Sequence, residues 1–191
     1  MKNNIIGRKS EQDTLAHIFE SRQSEFVAVC GRRRVGKTFL VREYFEQEMV
    51  FQTSGLAGGN TQEQLKNFFY TLRRYDRNVT SVPHDWIDAF EMLITYLDSL
   101  NGIERKVVFL DELPWMDTAG SNFISALEHF WNGWASARRD IVLIVCGSAT
   151  SWMMDKLINN HGGLYGRLTH RLFLQPFSLG ESEAFLKTMG M

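Results

Sequence analysis

The chain has 191 residues, of which 44% are hydrophobic and 23% charged, a composition typical of a globular protein with one large core. Its net charge of −1 gives no support for non-specific nucleic-acid binding through bulk charge. No stretch approaches the roughly 18 apolar residues that a membrane-spanning helix needs, and no signal-peptide pattern opens the chain. We therefore expect a cytoplasmic protein in which Cys30 and Cys146 are buried, reduced thiols.

The first third of the chain predicts a helix, a strand and a second helix. An apolar stripe through Leu15, Ile18 and Phe19 predicts the first helix. Residues 26–30 predict a buried strand, and residues 37–48 predict the second helix. The intervening residues, GRRRVGKT at 31–38, fit the phosphate-loop pattern G-x-x-x-x-G-K-[ST].

This loop suits a phosphate chemically. The N–H groups at the start of the following helix converge on one spot, where the helix dipole adds positive potential. Gly31 and Gly36 let the backbone close around a phosphate. Lys37 would reach the β- and γ-phosphates, and the Thr38 hydroxyl would ligate Mg²⁺. The three arginines at 32–34 either add positive field or point into solvent. We favour solvent, because backbone amides carry the phosphate contacts in such loops.

The next segment predicts a strand and two helices. Residues 49–53 predict the strand, and a glycine-rich loop follows it. Thr61 with Gln64 predicts a capping box at the start of the first helix. Asp85 predicts the N-cap of the second helix.

Residues 105–112, RKVVFLDE, place four apolar residues directly before two carboxylates. A buried strand of this kind delivers acidic groups to its carboxyl edge, where ligands bind in open α/β sheets. Taken alone, the pair would be read as solvated carboxylates. With a phosphate loop upstream it resembles the Walker B element. Asp111 would hold the Mg²⁺ shell, and Glu112 would orient and deprotonate the attacking water.

A third polar position follows the next predicted strand. Residues 121–138 predict a long helix whose aromatic stripe packs against the sheet, and residues 140–146 predict the strand. A polar residue at its end would face the γ-phosphate beside Walker B. Ser148 is our first choice and Thr150 the second, although either hydroxyl could instead cap a helix.

The C-terminal part predicts four short elements. Residues 152–157 predict a helix, residues 159–167 a glycine-rich loop and residues 171–174 the last strand. Residues 181–189 start an amphipathic helix in which the chain stops. We expect this end to be a cut before or inside a further domain.

Together these motifs resemble those of the archaeal-type ATPases in the AAA+/STAND division of P-loop NTPases. The resemblance covers roughly residues 5–188. It rests on Ile6-Gly7-Arg8 with Glu11, GRRRVGKT at 31–38, DWIDAF at 85–90, FLDELPW at 109–115, LEHFWNGW at 127–134, CGSATSWM at 146–153 and GGLYGRLT at 162–169. The phosphate loop and Walker B are specific to the superfamily, and the order and spacing of the other motifs are specific to the group.

The resemblance implies an α/β fold, the P-loop NTPase three-layer sandwich. Its parallel five-stranded sheet would have the strand order 5-1-4-3-2, with helices on both faces. The resemblance also implies ATP and Mg²⁺ as cofactors, with Lys37, Thr38, Asp111 and Glu112 in the roles given above and Ser148 at the sensor position.

Further expectations also come from the resemblance alone. Gly7-Arg8 would flank the nucleotide base. Arg167 would be an arginine finger that acts in trans on a neighbour's γ-phosphate in a homo-oligomer, or else a surface residue of a mobile loop. Residues 1–178 would form the ATPase core, and residues 179–191 would start a truncated helical lid. DNA or protein partners would bind through a missing C-terminal domain, and turnover by this chain alone is left open.

The predicted site divides into three sets of residues. The nucleotide-binding set is Gly31, Arg32, Arg33, Arg34, Val35, Gly36, Lys37, Thr38, Phe39 and Arg8; the catalytic set is Lys37, Glu112, Ser148 and Arg167; the metal ligands are Thr38 and Asp111.

Three functions fit such a site: an ATPase acting as a motor or switch, a small-molecule kinase, and a nucleotide-binding module of a DNA-associated protein. The adjacent acidic pair favours the ATPase, because it suits an activated water better than a bound hydroxyl acceptor. The balanced charge argues against strong DNA binding by this chain.

Overall fold

The computed structural model describes residues 5–148, 150–159, 162–188 and 190, with the backbone alone at Thr150. In chain order the elements are α1 (Lys9–Glu20), β1 (Glu25–Cys30), α2 (Lys37–Tyr44), β2 (Met49–Ser54), α3 (Thr61–Tyr75), α4 (Trp86–Ser99), β3 (Lys106–Asp111), α5 (Leu113–Met116), α6 (Phe123–Gly133), a 3₁₀ turn (Ala135–Ala137), β4 (Ile141–Gly147), α7 (Thr150–Met153), a π-helical turn (Met154–Ile158), β5 (His170–Phe173) and α8 (Leu179–Thr188). Within the described ranges, no helix combines the length and the apolar character needed to cross a membrane.

The five strands form one parallel sheet in the order β2-β3-β4-β1-β5. This is the predicted order 5-1-4-3-2 read from the opposite edge, so the predicted P-loop NTPase fold is confirmed. Parallel neighbours have to be joined by crossovers, which place helices on the sheet faces. Strands β1, β3 and β4 are buried at every position, as expected for the interior of such a sheet.

Each face of the sheet has its own core, because alternate residues of a strand point to opposite faces. On one face, Phe26 of β1 packs in a cluster with Phe90 and Phe130 from α4 and α6. On the other face, Val27 packs with Leu40 and with other residues of α1 and α2. Helices therefore cover both faces, which gives the three-layer sandwich.

Several helix limits differ from the prediction. The helix after the phosphate loop ends at Tyr44 and not at Glu48, because Phe45 leaves the helical conformation (φ −108°, ψ 24°) and the chain must then reverse into β2. The long helix predicted at 121–138 is interrupted at Trp134, which has φ −135° and ψ −58°. The short helix predicted at 152–157 lies within α7 and the π-helical turn that follows it.

The capping box of α3 lies one residue earlier than predicted. Asn60 Oδ1 accepts a hydrogen bond from Glu63 N at 3.0 Å, and Glu63 Oε2 accepts one from Asn60 N at 2.8 Å. Asparagine is a stronger N-cap than threonine, so the Thr61–Gln64 prediction was wrong. Gln64 instead closes the preceding loop, where its Oε1 accepts from Leu56 N at 2.9 Å.

Three neighbouring strands bring the predicted site residues to one edge of the sheet. The phosphate loop follows β1, Ser148 follows β4, and Asp111 ends β3. Because β4 lies between β1 and β3, Ser148 is placed between the loop and the acidic pair. This carboxyl edge is where open α/β sheets bind their ligands.

Candidate functional site

The phosphate loop leaves β1 and turns directly into α2. Gly31 has φ 146°, and a Cβ there would lie 2.5 Å from the carbonyl oxygen of Leu174. Gly36 has φ 89° and precedes α2, whose start receives no side-chain cap from the described residues. The first N–H groups of α2 lack intrahelical acceptors and lie at the positive end of the helix dipole. The loop therefore offers the backbone donors that an anion requires.

Lys37 lies inside the loop. Its Nζ donates to the carbonyl oxygens of Gly31 at 2.8 Å and Arg32 at 2.9 Å, and only 6% of the residue is exposed. Arg32, Arg33 and Arg34 are exposed, but Arg33 also donates to Ser148 Oγ and Arg34 lines the cavity beside the loop. The buried cation of this loop is therefore Lys37, held by backbone carbonyls at the point where the loop closes.

Thr38 and Asp111 meet across the sheet edge. Thr38 Oγ1 donates to Asp111 Oδ2 at 2.8 Å, and Asp111 is 5% exposed. A hydroxyl and a carboxylate are the hard oxygen ligands that Mg²⁺ prefers, and two neighbouring ligands of an octahedral Mg²⁺ lie about 2.9 Å apart. The pair therefore fits Mg²⁺. The described residues contain no cluster of three or more acidic, histidine or cysteine ligands, so phosphate and water would have to complete the shell.

Glu112 and Ser148 form the second contact across this edge. Ser148 Oγ donates to Glu112 Oε2 at 3.2 Å, and Arg33 Nε donates to Ser148 Oγ at 3.4 Å. A hydrogen-bonded row thus runs from the phosphate loop to the acidic pair. Glu112 has φ 46° and ψ 48°, in the left-handed region that residues with a Cβ rarely occupy. The predicted hydroxyl and the predicted carboxylate therefore lie in direct contact.

A cavity of about 490 Å³ adjoins the phosphate loop. It is lined by Ile5, Ile6, Arg8, Arg34, Val35, Gly36, Phe39, Leu40, Pro176, Phe177 and Phe185. Arg8 is 6% exposed; its Nη2 donates to Val35 O at 3.0 Å, and its guanidinium lies 4.7 Å from the centre of the Phe177 ring. The mostly apolar lining and the volume suit a flat aromatic group.

The N-terminal turn and the last helix meet at this cavity. Glu181 Oε1 accepts from Arg8 N at 2.8 Å, while its Oε2 accepts from Ser178 N and Ser178 Oγ, both at 2.9 Å. These hydrogen bonds lower the pKa of Glu181, and the bond from the Arg8 N–H contributes most. The side chain also covers Gly7, where a Cβ would lie 2.9 Å from Glu181 Cγ. Residues at the two ends of the described chain thus form one wall.

Of the remaining predicted residues, only Arg167 can be placed in the described part of the chain, and it takes no part in the hydrogen-bonded row. Arg167 is exposed on the loop at 162–167, where its backbone N donates to Leu164 O at 3.1 Å. The side chain of Thr150, the second choice for the sensor, lies outside the described residues.

Sequence reasoning missed the far wall of the cavity and the contacts beyond Walker B. Phe177, Phe185 and Glu181 follow the last strand, and no periodic pattern connects them to the phosphate loop. The pattern Ser178-x-x-Glu181 is a capping-box signature and could have marked the start of α8. Nothing in the sequence pairs Asp117 with Trp152, whose Nε1 donates to Asp117 Oδ2 at 3.0 Å.

The parallel sheet, the loop and the acidic strand end define a P-loop nucleotide-binding protein of the AAA+ type. A family model described as an ATPase domain predominantly from Archaea matches residues 6–190. The chain therefore belongs to this family of archaeal-type P-loop ATPases.

The chain is also similar to individual proteins. The chain is 25% identical over 181 residues to the uncharacterized protein MJECL04 of Methanocaldococcus jannaschii, across 95% of this chain and 38% of the relative. Its fold is similar to that of the Walker-type ATPase PABY2304 of Pyrococcus abyssi, with a TM-score of 0.68 and 19% identity, over 97% of this chain and 58% of that one.

Two proteins named ORC2 and ORC share the fold. The ORC2 protein of Aeropyrum pernix, in an ADP form, has a TM-score of 0.61 and 18% identity over 97% of this chain and 54% of its own. The Drosophila ORC bound to DNA has a TM-score of 0.68 and 15% identity, over 95% of this chain and 46% of that one. The chain thus spans well under two thirds of each of these four proteins.

Proposed function

We propose that this chain is an Mg²⁺-dependent ATPase core that works as a motor or switch for a further domain. The observation that carries the proposal is that the phosphate loop, the acidic pair and Ser148 meet at one sheet edge. Thr38 contacts Asp111, Ser148 contacts Glu112, and Lys37 lies within the loop beside them. Membership of an ATPase-domain family supports it independently.

The phosphate end of the nucleotide would lie on the loop. The N–H groups at the start of α2 would bind the phosphate oxygens, and Lys37 would exchange its carbonyl partners for the β- and γ-phosphates. Thr38 and Asp111 would hold Mg²⁺, which neutralises charge on the phosphates. Thr38 is the residue after Lys37, so one turn of α2 would serve both the phosphates and the metal.

Glu112 would act on the attacking water. A carboxylate can orient water and accept its proton while the water oxygen bonds to the γ-phosphorus and the bond from that phosphorus to the β-phosphate oxygen breaks. Ser148, which donates to Glu112 Oε2 at 3.2 Å, would hold the carboxylate and face the γ-phosphate. Its hydroxyl can donate to only one acceptor at a time, so γ-phosphate binding would compete for that bond.

The base would occupy the apolar cavity beside the loop. Phe39 and Phe177 offer aromatic surface, and Arg8 lies against the ring of Phe177. The cavity adjoins Gly36, at the start of α2, so one nucleotide could reach both the cavity and the phosphate loop.

The assembly and its partners are also proposals. Arg167 is exposed on its loop, which suits a finger that reaches a neighbouring subunit's γ-phosphate in a homo-oligomer. Two of the proteins with this fold are the ORC2 protein of Aeropyrum pernix and the Drosophila ORC, the latter bound to DNA. A DNA or protein partner would bind through a domain beyond this chain. A cytoplasmic location stays a prediction from the sequence.

The deciding experiment measures Mg·ATP binding and phosphate release for the natural chain, Lys37→Ala and Glu112→Gln. We expect Lys37→Ala to lose binding, and Glu112→Gln to bind within about threefold of the natural chain and to lose hydrolysis by about 100-fold or more. Loss of binding in Glu112→Gln would contradict its role as the base. No binding by the natural chain would contradict the proposal itself, and transfer of phosphate to a metabolite without free phosphate would favour a kinase.

A further inference from the structure

The backbone at Glu112 occupies an unfavourable conformation that something must hold. Its φ of 46° and ψ of 48° place a Cβ-bearing residue in the left-handed region, directly after Asp111. Such conformations persist only where the surrounding structure fixes them. The direction of the Glu112 carboxylate therefore depends on what secures the chain that follows it.

The segment after Glu112 is secured against the end of β4. Pro114 packs on Gly147 so closely that a Cβ there would lie 2.8 Å from Pro114 Cδ. Five residues after Glu112, Asp117 Oδ2 accepts a hydrogen bond from Trp152 Nε1 at 3.0 Å. Four residues before Trp152, Ser148 contacts Glu112. The same two segments, 112–117 and 147–152, are thus joined at three points.

Of these three contacts, the indole hydrogen bond lies farthest along the chain from Glu112 and Ser148. Both Asp117 and Trp152 are partly buried. Because an indole N–H can only donate, Trp152 is the donor of this bond and Asp117 is the acceptor. Loss of this bond would remove the polar contact between Asp117, which follows α5, and Trp152 of α7, and would leave Ser148 freer to move away from Glu112. Neither residue lines the phosphate loop or the cavity beside it.

We infer that Asp117 and Trp152 are positioning residues for Glu112, which they keep against Ser148 by tying α5 to α7. The inference rests on the proposed function, in which Glu112 is the catalytic base. It predicts that breaking the indole hydrogen bond slows hydrolysis and leaves nucleotide affinity unchanged.

The test measures single-turnover ATP hydrolysis with protein in excess, together with the ATP dissociation constant. We expect Trp152→Phe and Asp117→Ala each to slow hydrolysis about tenfold, with affinity within twofold of the natural chain. The double variant should be no slower than either single one, because both remove the same bond. Asp117→Asn keeps an acceptor for the indole and should retain the natural rate within about twofold. Trp134→Phe is the matched control, since Trp134 is also partly buried but packs on Arg138.

Two outcomes would overturn the inference: natural rates in Trp152→Phe and Asp117→Ala, or a loss of rate accompanied by an equal loss of affinity. If the natural chain binds ATP without turnover, the decision falls to the indole N–H resonances of ¹⁵N-labelled protein. The Trp152 resonance, assigned by its loss in Trp152→Phe, should then shift in Ser148→Ala while the Trp134 resonance stays in place. An unmoved Trp152 resonance would refute the coupling. Failure to bind ATP would instead count against the proposed function.

Discussion

At the scale of single residues, two glycines and one glutamate set the backbone of the site. Gly31 and Gly36 adopt positive φ where the chain turns from β1 into α2, and only at Gly31 would a Cβ meet backbone at short range. Glu112 adopts positive φ with a side chain present. The two glycines have no Cβ to strain these turns, whereas Arg34 of the loop (φ 65°) and Glu112 carry side chains in the left-handed region and have to be held there by their surroundings.

Gly31→Ala tests the tight packing at the start of the loop. We expect it to lower the free energy of unfolding by about 3 kcal/mol, because the new methyl group meets Leu174 O and the backbone stays at φ 146°. Gly58→Ala is the control, since Gly58 has φ 71° but open space around it, and it should cost about 1 kcal/mol. Urea unfolding curves measure both. Equal costs for the two variants would mean that contact with Leu174 O is unimportant.

At the scale of elements, hydrogen bonds at helix and strand starts fix where the site-bearing segments begin. The capping box of α3 follows the loop that leaves β2, and Gly55 of that loop donates its N–H to Asp111 O at 3.0 Å. Thr61 Oγ1 and Thr118 Oγ1 lie 2.6 Å apart, which joins the start of α3 to the segment after Walker B. The loop after β2 thus contacts Asp111 directly, and the start of α3 contacts the segment after Walker B through Thr61.

Asn60→Ala should destabilise the start of α3. Replacing a good N-cap by alanine costs about 1 kcal/mol, and here it also leaves the Glu63 N–H without its side-chain acceptor. Gln62→Ala, an exposed change in the first turn, should stay within about 0.5 kcal/mol of the natural chain. Thermal unfolding followed by circular dichroism measures both variants. A natural melting temperature for Asn60→Ala would show that water replaces the cap without cost.

The opposite edge of the sheet carries a pH-dependent ion pair. Arg138 Nε and Nη2 each donate to Asp140 at 2.8 Å, and Lys106 Nζ lies 3.0 Å from Asp140 Oδ2. The pKa of Asp140 is lowered to about 2. The hydrogen bonds from Arg138 contribute most to this shift, and the hydrogen bond and the charge of Lys106 contribute next. Because the folded pKa lies below the ordinary value of 3.8, the stabilisation is present at neutral pH and is lost as the pH falls from about 4 to about 2.

Asp140→Asn should therefore make the free energy of unfolding depend less on pH below about pH 5. The natural chain should lose about 2 kcal/mol between pH 5 and pH 2 that the variant does not lose. Denaturant unfolding at a series of pH values measures the difference, and Asp13→Asn, a change at an exposed carboxylate, is the control. Parallel curves for the natural chain and Asp140→Asn would contradict the assignment.

At the scale of the whole molecule, the site is built on the most buried part of the sheet. Cys30 is the last residue of β1, directly before the loop, and Cys146 is the next-to-last residue of β4, two residues before Ser148; both are fully buried free thiols. Burial raises the pKa of the Cys30 thiol to about 11, although the charge of Lys37 opposes this shift, and burial raises the pKa of Cys146 further. Reaction at either thiol therefore requires the central strands to open.

We expect iodoacetamide at pH 8 to label neither cysteine of the folded protein except through unfolding. A ligand that binds only the folded state slows such labelling in proportion to its saturation, so Mg·ATP at 100 times its dissociation constant should slow it by about 100-fold. Mass spectrometry of both cysteine peptides measures the rates, and Lys37→Ala should show no slowing. Rapid labelling of the folded chain would mean that this edge opens locally.

The residue pattern was enough to predict the buried strands and the motifs at their ends, and the resemblance to archaeal-type ATPases supplied the layers and the strand order. Buried strands such as β1 and β3 are runs of apolar residues, and glycine-rich and acidic motifs follow them at fixed positions. Helix limits were harder, as the early end of α2 and the break at Trp134 show. Those limits depend on where the chain must turn to pack, which helical periodicity does not record.

The sequence by itself determined the residues that could meet a phosphate and a metal, because each belongs to a motif that ends or follows a predicted strand and parallel strands share one carboxyl edge. Only the tertiary structure decided the partners of those residues. It placed Ser148 on Glu112, Phe177 beside Arg8 and Asp117 on Trp152. These pairs are separated by tens of residues or more, and their contacts depend on how helices pack on the sheet. Local sequence fixes what a segment can form, whereas packing between distant segments fixes what each side chain touches.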